Sequence, residues 1–73
     1  MKERILEIMR QLFENDNIDE SCVKENCEAW DSLHHLNLVI ELEEEFNVEF
    51  EPEEIASMRS FSKILEIVES KLQ

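Results

Sequence analysis

A chain of 73 residues is long enough for one small domain, since domains usually span about 50 to 250 residues. The chain has 19 acidic and 7 basic residues, and the resulting net charge of −12 repels nucleic-acid phosphates and anionic membrane surfaces. With no glycine and one proline it lacks the turn residues of a sandwich or barrel, so we expect a single all-helical domain over residues 1–73 that does not bind nucleic acid.

The first predicted element is a helix over residues 2–14, because apolar residues recur there at the helical spacing of three and four. Asn15 and Asn17 follow it and can take the left-handed conformation that ends a helix. A long connection comes next. We expect three apolar side chains to anchor it in the core, namely Ile18, Val23 and Trp30.

A second helix is predicted to begin at Asp31 or Ser32, both good N-caps, and to run to Phe46, with Asn47 as its stop signal. At 100° per residue, its apolar residues cover about half of the circumference and are predicted to face the core. These are Leu33, Leu36, Val39, Ile40, Leu42 and Phe46. The opposite side is predicted to face solvent and holds His34, Asn37, Glu41, Glu44 and Glu45.

Two further helices are predicted after Asn47. Pro52 suits the first position of a short helix over residues 52–58, and Ser60 suits the cap of a last helix with clear helical periodicity. The alternation at Phe46, Val48 and Phe50 is typical of a strand, but no second segment could pair with it, so a connection is expected. The predicted fold is an all-α bundle of three longer helices and one short helix.

The start of the second helix carries a motif with a wider context. Trp30-Asp31-Ser32-Leu33 is followed by Leu36, by Leu38-Val39, by Leu42-Glu43-Glu44-Glu45-Phe46 and by Glu53-Glu54-Ile55. Over residues 31–72 this pattern resembles the acyl carrier protein family without a gap. The resemblance implies that Ser32 is esterified with 4′-phosphopantetheine by a separate phosphopantetheinyl transferase, and that the arm carries acyl or aminoacyl groups as thioesters.

Asp31 and Leu33 form the local context of Ser32 and are assigned to the same cofactor site. A phosphodiester on Ser32 would lie near the unpaired N–H groups and the positive end of the helix dipole, where anions are stabilised. Asp31 has two alternative roles. It either orients the serine or a Mg²⁺ ion in the complex with the transferase, or it acts as the N-cap of the helix.

The acidic residues are concentrated in the middle of the chain. From Glu25 to Met58 there are eleven acids and no lysine or arginine, so this stretch carries −11 of the total charge of −12. The resemblance implies that the polar side of the second helix, with His34, Asn37, Glu41, Glu44 and Glu45, docks on basic patches of the transferase and of acyl- or aminoacyl-handling enzymes. The alternative is an unmodified acidic helical adaptor that binds a basic protein partner.

His34 and Asn37 depart from the family pattern, because fatty-acid carriers commonly have acids at these two positions. A carrier for a specialised pathway is therefore at least as strongly favoured as the housekeeping fatty-acid carrier. Histidine also gains a positive charge below about pH 6.5, which would weaken docking on a basic patch.

No catalytic or metal site is predicted. His35 lies three positions after Ser32, but no glycine-rich turn or oxyanion site accompanies it, so a serine hydrolase is disfavoured. His34 and His35 are adjacent and point about 100° apart on a helix, and Cys22 and Cys27 lack the spacings of a zinc site. In the absence of a signal peptide or a membrane span, a cytoplasmic monomer with reduced thiols is expected.

Overall fold

The computed structural model describes residues 1–72, which form four α-helices joined by loops. Helix α1 spans Lys2–Phe13, α2 spans Ser32–Phe46, α3 spans Pro52–Ser57 and α4 spans Phe61–Leu72. This architecture confirms the predicted all-α fold of three longer helices and one short helix. The long loop before α2 also contains a 3₁₀ turn over Lys24–Asn26, which the sequence analysis did not predict.

The C-terminal ends of α1 and α2 show which residues end these helices. α2 ends as predicted, with Asn47 in the left-handed conformation at φ 55° and ψ 50°. At the end of α1 it is Glu14, and not Asn15 or Asn17, that takes this conformation, at φ 52° and ψ 45°. The side chain of Asn15 instead accepts a hydrogen bond from the backbone N–H of Asn17 at 2.9 Å and forms the next turn.

The core draws buried apolar side chains from α1, α2 and α4, from the long loop and from the residue after α3. The largest fully buried ones are Ile5 and Met9 of α1, Leu38 and Leu42 of α2, Met58 after α3, and Phe61, Ile64 and Val68 of α4. In the long loop Ile18 and Trp30 are buried and Val23 is half-buried, so the predicted anchors lie against the core. Phe50 is buried as well and anchors the loop between α2 and α3.

The predicted core face of α2 is wrong at three positions. Leu33, Leu36 and Ile40 keep 65%, 56% and 51% of their surface exposed, whereas Leu38, Val39 and Leu42 are the buried residues of this helix. The apolar residues of α2 therefore form two stripes on opposite sides. Only one stripe can face the bundle, because α2 lies at the surface and one side of it remains open to solvent.

Backbone bonds fasten the long loop to the start of α4. The N–H of Lys24 donates to the carbonyl of Arg59 at 2.8 Å, and the N–H of Phe61 donates to the carbonyl of Cys22 at 2.9 Å. These bonds flank an isolated antiparallel bridge between Val23 and Ser60, and no strand occurs in residues 1–72. The connection thus has a fixed path before it reaches α2.

An ion pair holds α3 against the end of α4. The Nζ of Lys71 lies 2.8 Å from Oε1 of Glu54, and both side chains are about one quarter exposed, at 25% and 28%. The N–H of Glu51 and the ammonium of Lys71 keep the pKa of Glu54 below its ordinary value, and Glu54 in turn raises the pKa of Lys71. The contribution of Glu54 to stability is present above the ordinary carboxyl pKa and is lost as pH falls through the lowered value. That of Lys71 is present below the ordinary lysine pKa and is lost as pH rises through the raised value.

Candidate functional site

Ser32 is the first residue of α2 and is exposed to solvent. Its hydroxyl makes no hydrogen bond to any other described residue, whereas the hydroxyls of Ser21, Ser57 and Ser60 all take part in one. The serine also lies at the helix end where unpaired N–H groups and the helix dipole favour a bound phosphate. Ser32 is therefore an accessible hydroxyl in surroundings that suit a phosphodiester.

Asp31 is the N-cap of α2. Its Oδ1 accepts the backbone N–H of His34 at 2.9 Å and also lies 2.8 Å from Nδ1 of the His34 ring. These two bonds, the backbone bond first, hold the pKa of Asp31 below its ordinary value. One of the two alternative roles, the N-cap, is thus realised in the free protein, and a role toward the transferase stays a prediction.

An aromatic cluster lies beneath the first turn of α2 and consists of Phe13, Trp30, His34 and His35. The Phe13 ring lies 5.4 Å from that of Trp30 and 6.0 Å from that of His34, the latter in an edge-on arrangement. The Trp30 and His35 rings are stacked at 6.2 Å. The cluster joins the end of α1, the end of the long loop and the start of α2, and so fixes the direction in which α2 begins.

The two histidines are both half-buried. His35 makes two hydrogen bonds, one with the indole N–H of Trp30 and one with the carbonyl of Ile55. His34 was placed on the polar side of α2, yet its ring reaches toward Asp31 and the edge of Phe13. These contacts could not be predicted from the sequence, because the partners are remote in the chain or the contact depends on the orientation of a ring.

The other predicted docking residues divide into two groups. Asn37, Glu41 and Glu44 are exposed along α2. Glu45 is held by α1, since Nη2 of Arg4 lies 3.0 Å from its Oε1 and lowers the pKa of the Glu45 carboxyl. The structure therefore leaves the middle three residues facing solvent and gives His34 and Glu45 partners inside the protein.

The exposed apolar stripe of α2 consists of Leu33, Leu36 and Ile40, and we call it the apolar strip. It begins at the residue after Ser32 and runs along the helix surface beside Asn37 and Glu44. From the sequence, these three residues were predicted to face the core. The spacing of three and four residues within the strip could have revealed it as a separate stripe.

Few of the eleven acids between Glu25 and Met58 have a basic partner. In residues 1–72, Glu25, Glu45 and Glu54 pair with Arg59, Arg4 and Lys71, all of which lie outside this stretch. The Glu25–Arg59 pair is exposed at both side chains and contributes little. The remaining acids repel one another more strongly in the folded chain than in the expanded chain.

Added salt is therefore expected to raise the melting temperature, because it screens this repulsion. Each kcal/mol regained should raise Tm by about 4 to 8 °C in a domain of this size. Thermal unfolding followed by circular dichroism in low salt, in NaCl and in MgCl₂ of equal ionic strength measures the effect. A Tm that does not change with NaCl would contradict the expectation, and a larger gain in MgCl₂ would indicate specific cation sites.

None of the described helices has the length and apolar composition needed to cross a membrane. In the comparisons with known proteins, no protein-family model and no curated protein matches the chain. Among solved structures, the chain is similar to the solution NMR structure of a holo acyl carrier protein from Geobacter metallireducens. The TM-score is 0.86 with 29% identical residues, and the likeness covers 97% of this chain and 84% of that chain.

This likeness supports the acyl carrier protein family that the sequence motif indicated. The predicted fold is confirmed. The shared fold supports a carrier protein and not a catalyst.

Proposed function

We propose that this acyl carrier protein transports acyl or aminoacyl groups as thioesters on a 4′-phosphopantetheine arm attached to Ser32. The observation that carries the proposal is the exposed, unbonded hydroxyl of Ser32 at the start of α2, in a fold shared with a holo acyl carrier protein. When attached, the arm supplies the thiol on which the cargo is held.

The residues around Ser32 fit such an arm. Ser32 supplies the hydroxyl oxygen for the phosphate ester, and the helix N-terminus favours the charge of the phosphodiester. Asp31 caps the first turn through the N–H of His34 and keeps that turn in place. Leu33, the next residue, is 65% exposed and offers apolar surface beside the arm.

The docking surface of the proposal consists of the apolar strip together with Asn37, Glu41 and Glu44. Protein interfaces usually combine an apolar centre with a polar rim, and complementary charges speed the encounter of the partners. The partners are a phosphopantetheinyl transferase and the enzymes that load or transfer acyl or aminoacyl groups, each with a basic patch. His34 and Glu45 lie at the two ends of this docking surface. His34 contacts Asp31, and Glu45 forms an ion pair with Arg4.

The experiment that tests the proposal measures mass. Purified protein is incubated with coenzyme A, Mg²⁺ and a broad-specificity phosphopantetheinyl transferase, and its intact mass is determined. A gain of one phosphopantetheine group supports the carrier function. No gain, with an established carrier protein modified in the same mixture, would overturn the proposal in favour of the unmodified acidic adaptor.

Reversing one charge on the docking surface should slow the modification. Glu44→Lys places a positive charge where a basic patch approaches, so kcat/KM for the transferase should fall several-fold at low ionic strength, and the loss should shrink as salt is added. Glu69→Lys makes the same change at an exposed position on α4 and serves as the matched control. An equal loss in both variants would show that net charge, and not the surface of α2, steers the encounter.

The proposal also states that the protein is cytoplasmic and that it carries intermediates for the enzymes of one specialised pathway. The second point rests on His34 and Asn37, which leave the start of the docking surface without acidic side chains. A housekeeping synthase with a basic patch should bind such a surface less well. Affinity capture of acylating enzymes by the arm-bearing protein would identify the cargo class.

A further inference from the structure

The hydrogen bonds of His35 define its protonation state. The indole Nε1 of Trp30 lies 2.9 Å from Nδ1 of His35, and Nε2 of His35 lies 2.8 Å from the carbonyl oxygen of Ile55. An indole N–H can only donate, so Nδ1 of His35 accepts and carries no proton. A carbonyl oxygen can only accept, so the proton is on Nε2. Both bonds are made together only by the neutral Nε2–H tautomer of His35.

These two bonds join the end of the long loop, α2 and α3 at the first turn of α2. Trp30 is buried at 3% exposure and precedes Ser32 by two residues, while Ile55 belongs to α3. In residues 1–72 the bond from His35 to Ile55 is the one hydrogen bond that connects α2 with α3. α3 is short, with six residues, so its placement depends on such contacts more than on its own length.

We infer that His35 is a positioning residue, which in its neutral form fastens Trp30 and α3 to the first turn of α2 and on protonation releases the Trp30 side of this contact. A proton on Nδ1 would face the N–H of Trp30, and two donors cannot bond to each other. The bond to the carbonyl of Ile55 persists, because Nε2 still donates, but the indole N–H of Trp30 loses its acceptor. The consequence for Ser32 rests on the proposed function, whereas the contact itself does not.

The neighbouring histidine should respond to acid in the opposite way. His34 lies 2.8 Å from a carboxylate oxygen of Asp31, so a positive charge on His34 strengthens that contact. Protonation of His34 and protonation of His35 should thus have different effects on the first turn of α2. Single substitutions of the two histidines distinguish these effects.

His35 contacts Trp30 at the end of the long loop and Ile55 of α3. The charged residues within two positions of these two partners along the chain are Glu28, Asp31, Glu53 and Glu54. Histidine is the side chain that ordinarily changes its charge between pH 5 and 8. Asp31 and Glu54 stay ionised over this range, because hydrogen bonds keep the pKa of each below its ordinary value.

The decisive measurement is NMR of the unmodified protein between pH 8 and 5. Trp30 is the only tryptophan, so its indole N–H gives a single unambiguous signal. In the wild type this signal should shift as His35 gains a proton, and the ¹⁵N spectrum of the imidazole at pH 8 should show Nδ1 unprotonated. An Nδ1–H tautomer at pH 8 would overturn the inference without any variant.

Two variants make the test specific. His35→Gln presents an amide oxygen to Trp30 and an amide N–H to Ile55 and does not titrate, so the indole shift with pH should be lost. His34→Gln removes the other histidine and should keep the shift. An indole signal that responds to pH in His35→Gln as it does in the wild type would also overturn the inference.

The effect on Ser32 is measured separately as the pH profile of kcat/KM for arm attachment. At pH 8 the wild type and His35→Gln should be modified equally, and at pH 5.5 the wild type should be slower. Identical profiles would refute the positioning role at Ser32. If no variant accepts an arm at any pH, the proposed function fails, and the NMR result still decides the contact of His35.

Discussion

A Ser32→Ala variant is expected to accept no arm under conditions that modify the wild type fully. The phosphate ester needs the hydroxyl of Ser32, and alanine removes that oxygen while keeping a residue that suits the first turn of a helix. Asp31 and its bond to His34 remain, so α2 should begin where it does now. Intact-mass measurement after incubation with coenzyme A and the transferase gives the result, and circular dichroism verifies that the variant is folded.

The matched control for this variant is Ser62→Ala, which removes an exposed hydroxyl from the first turn of α4. This variant should gain one arm, as the wild type does. An arm on Ser32→Ala would contradict the prediction, and peptide mapping would then place it on another serine of the chain. The alternatives are Ser21, Ser57, Ser60, Ser62 and Ser70.

The second large effect concerns stability and compares two residues of α2 that are two positions apart. Leu42 is fully buried and Ile40 is 51% exposed. Leu42→Ala should lower the free energy of unfolding by about 2 to 5 kcal/mol, because it removes buried methyl groups and leaves a cavity. This is a large part of a total that should amount to about 4 to 11 kcal/mol for 73 residues. Ile40→Ala should change it by no more than about 0.5 kcal/mol.

Urea unfolding of the unmodified protein measures both values on the same scale. Equal losses in the two variants would show that Ile40 packs against the core after all. Ile40→Ala should instead raise KM for the transferase, since Ile40 belongs to the apolar strip. The two positions therefore separate folding from docking within one helix.

Much of the fold followed from local signals in the sequence. Asp31, Asn47, Pro52 and Ser60 mark helix ends through backbone hydrogen bonds and fixed dihedral angles that need no distant partner. The attachment residue could be predicted for a similar reason, because the motif around Ser32 is contiguous in the chain. Its exposure and free hydroxyl became visible only in the structure.

The parts that were not predicted depend on distant partners. α2 has two apolar stripes, and periodicity alone does not tell which stripe the other helices cover, so Leu33 and Ile40 were placed inside. The tautomer of His35 depends on Ile55, which lies 20 residues further along the chain. The residue in the left-handed conformation at the end of α1 is Glu14, one position before Asn15, although asparagine adopts this conformation more readily than glutamate.

The antiparallel course of α1 and α2 has a practical consequence for handling the protein. Arg4, near the start of α1, contacts Glu45 near the end of α2, while Phe13 at the other end of α1 contacts His34. The first turn of α1 therefore lies at the opposite pole from Ser32, separated by the length of a 15-residue helix, about 22 Å. A label can therefore be attached at Met1, whether it is a surface linker, a fluorophore or an affinity tag. It would not block partner enzymes from the end of the bundle where Ser32 lies.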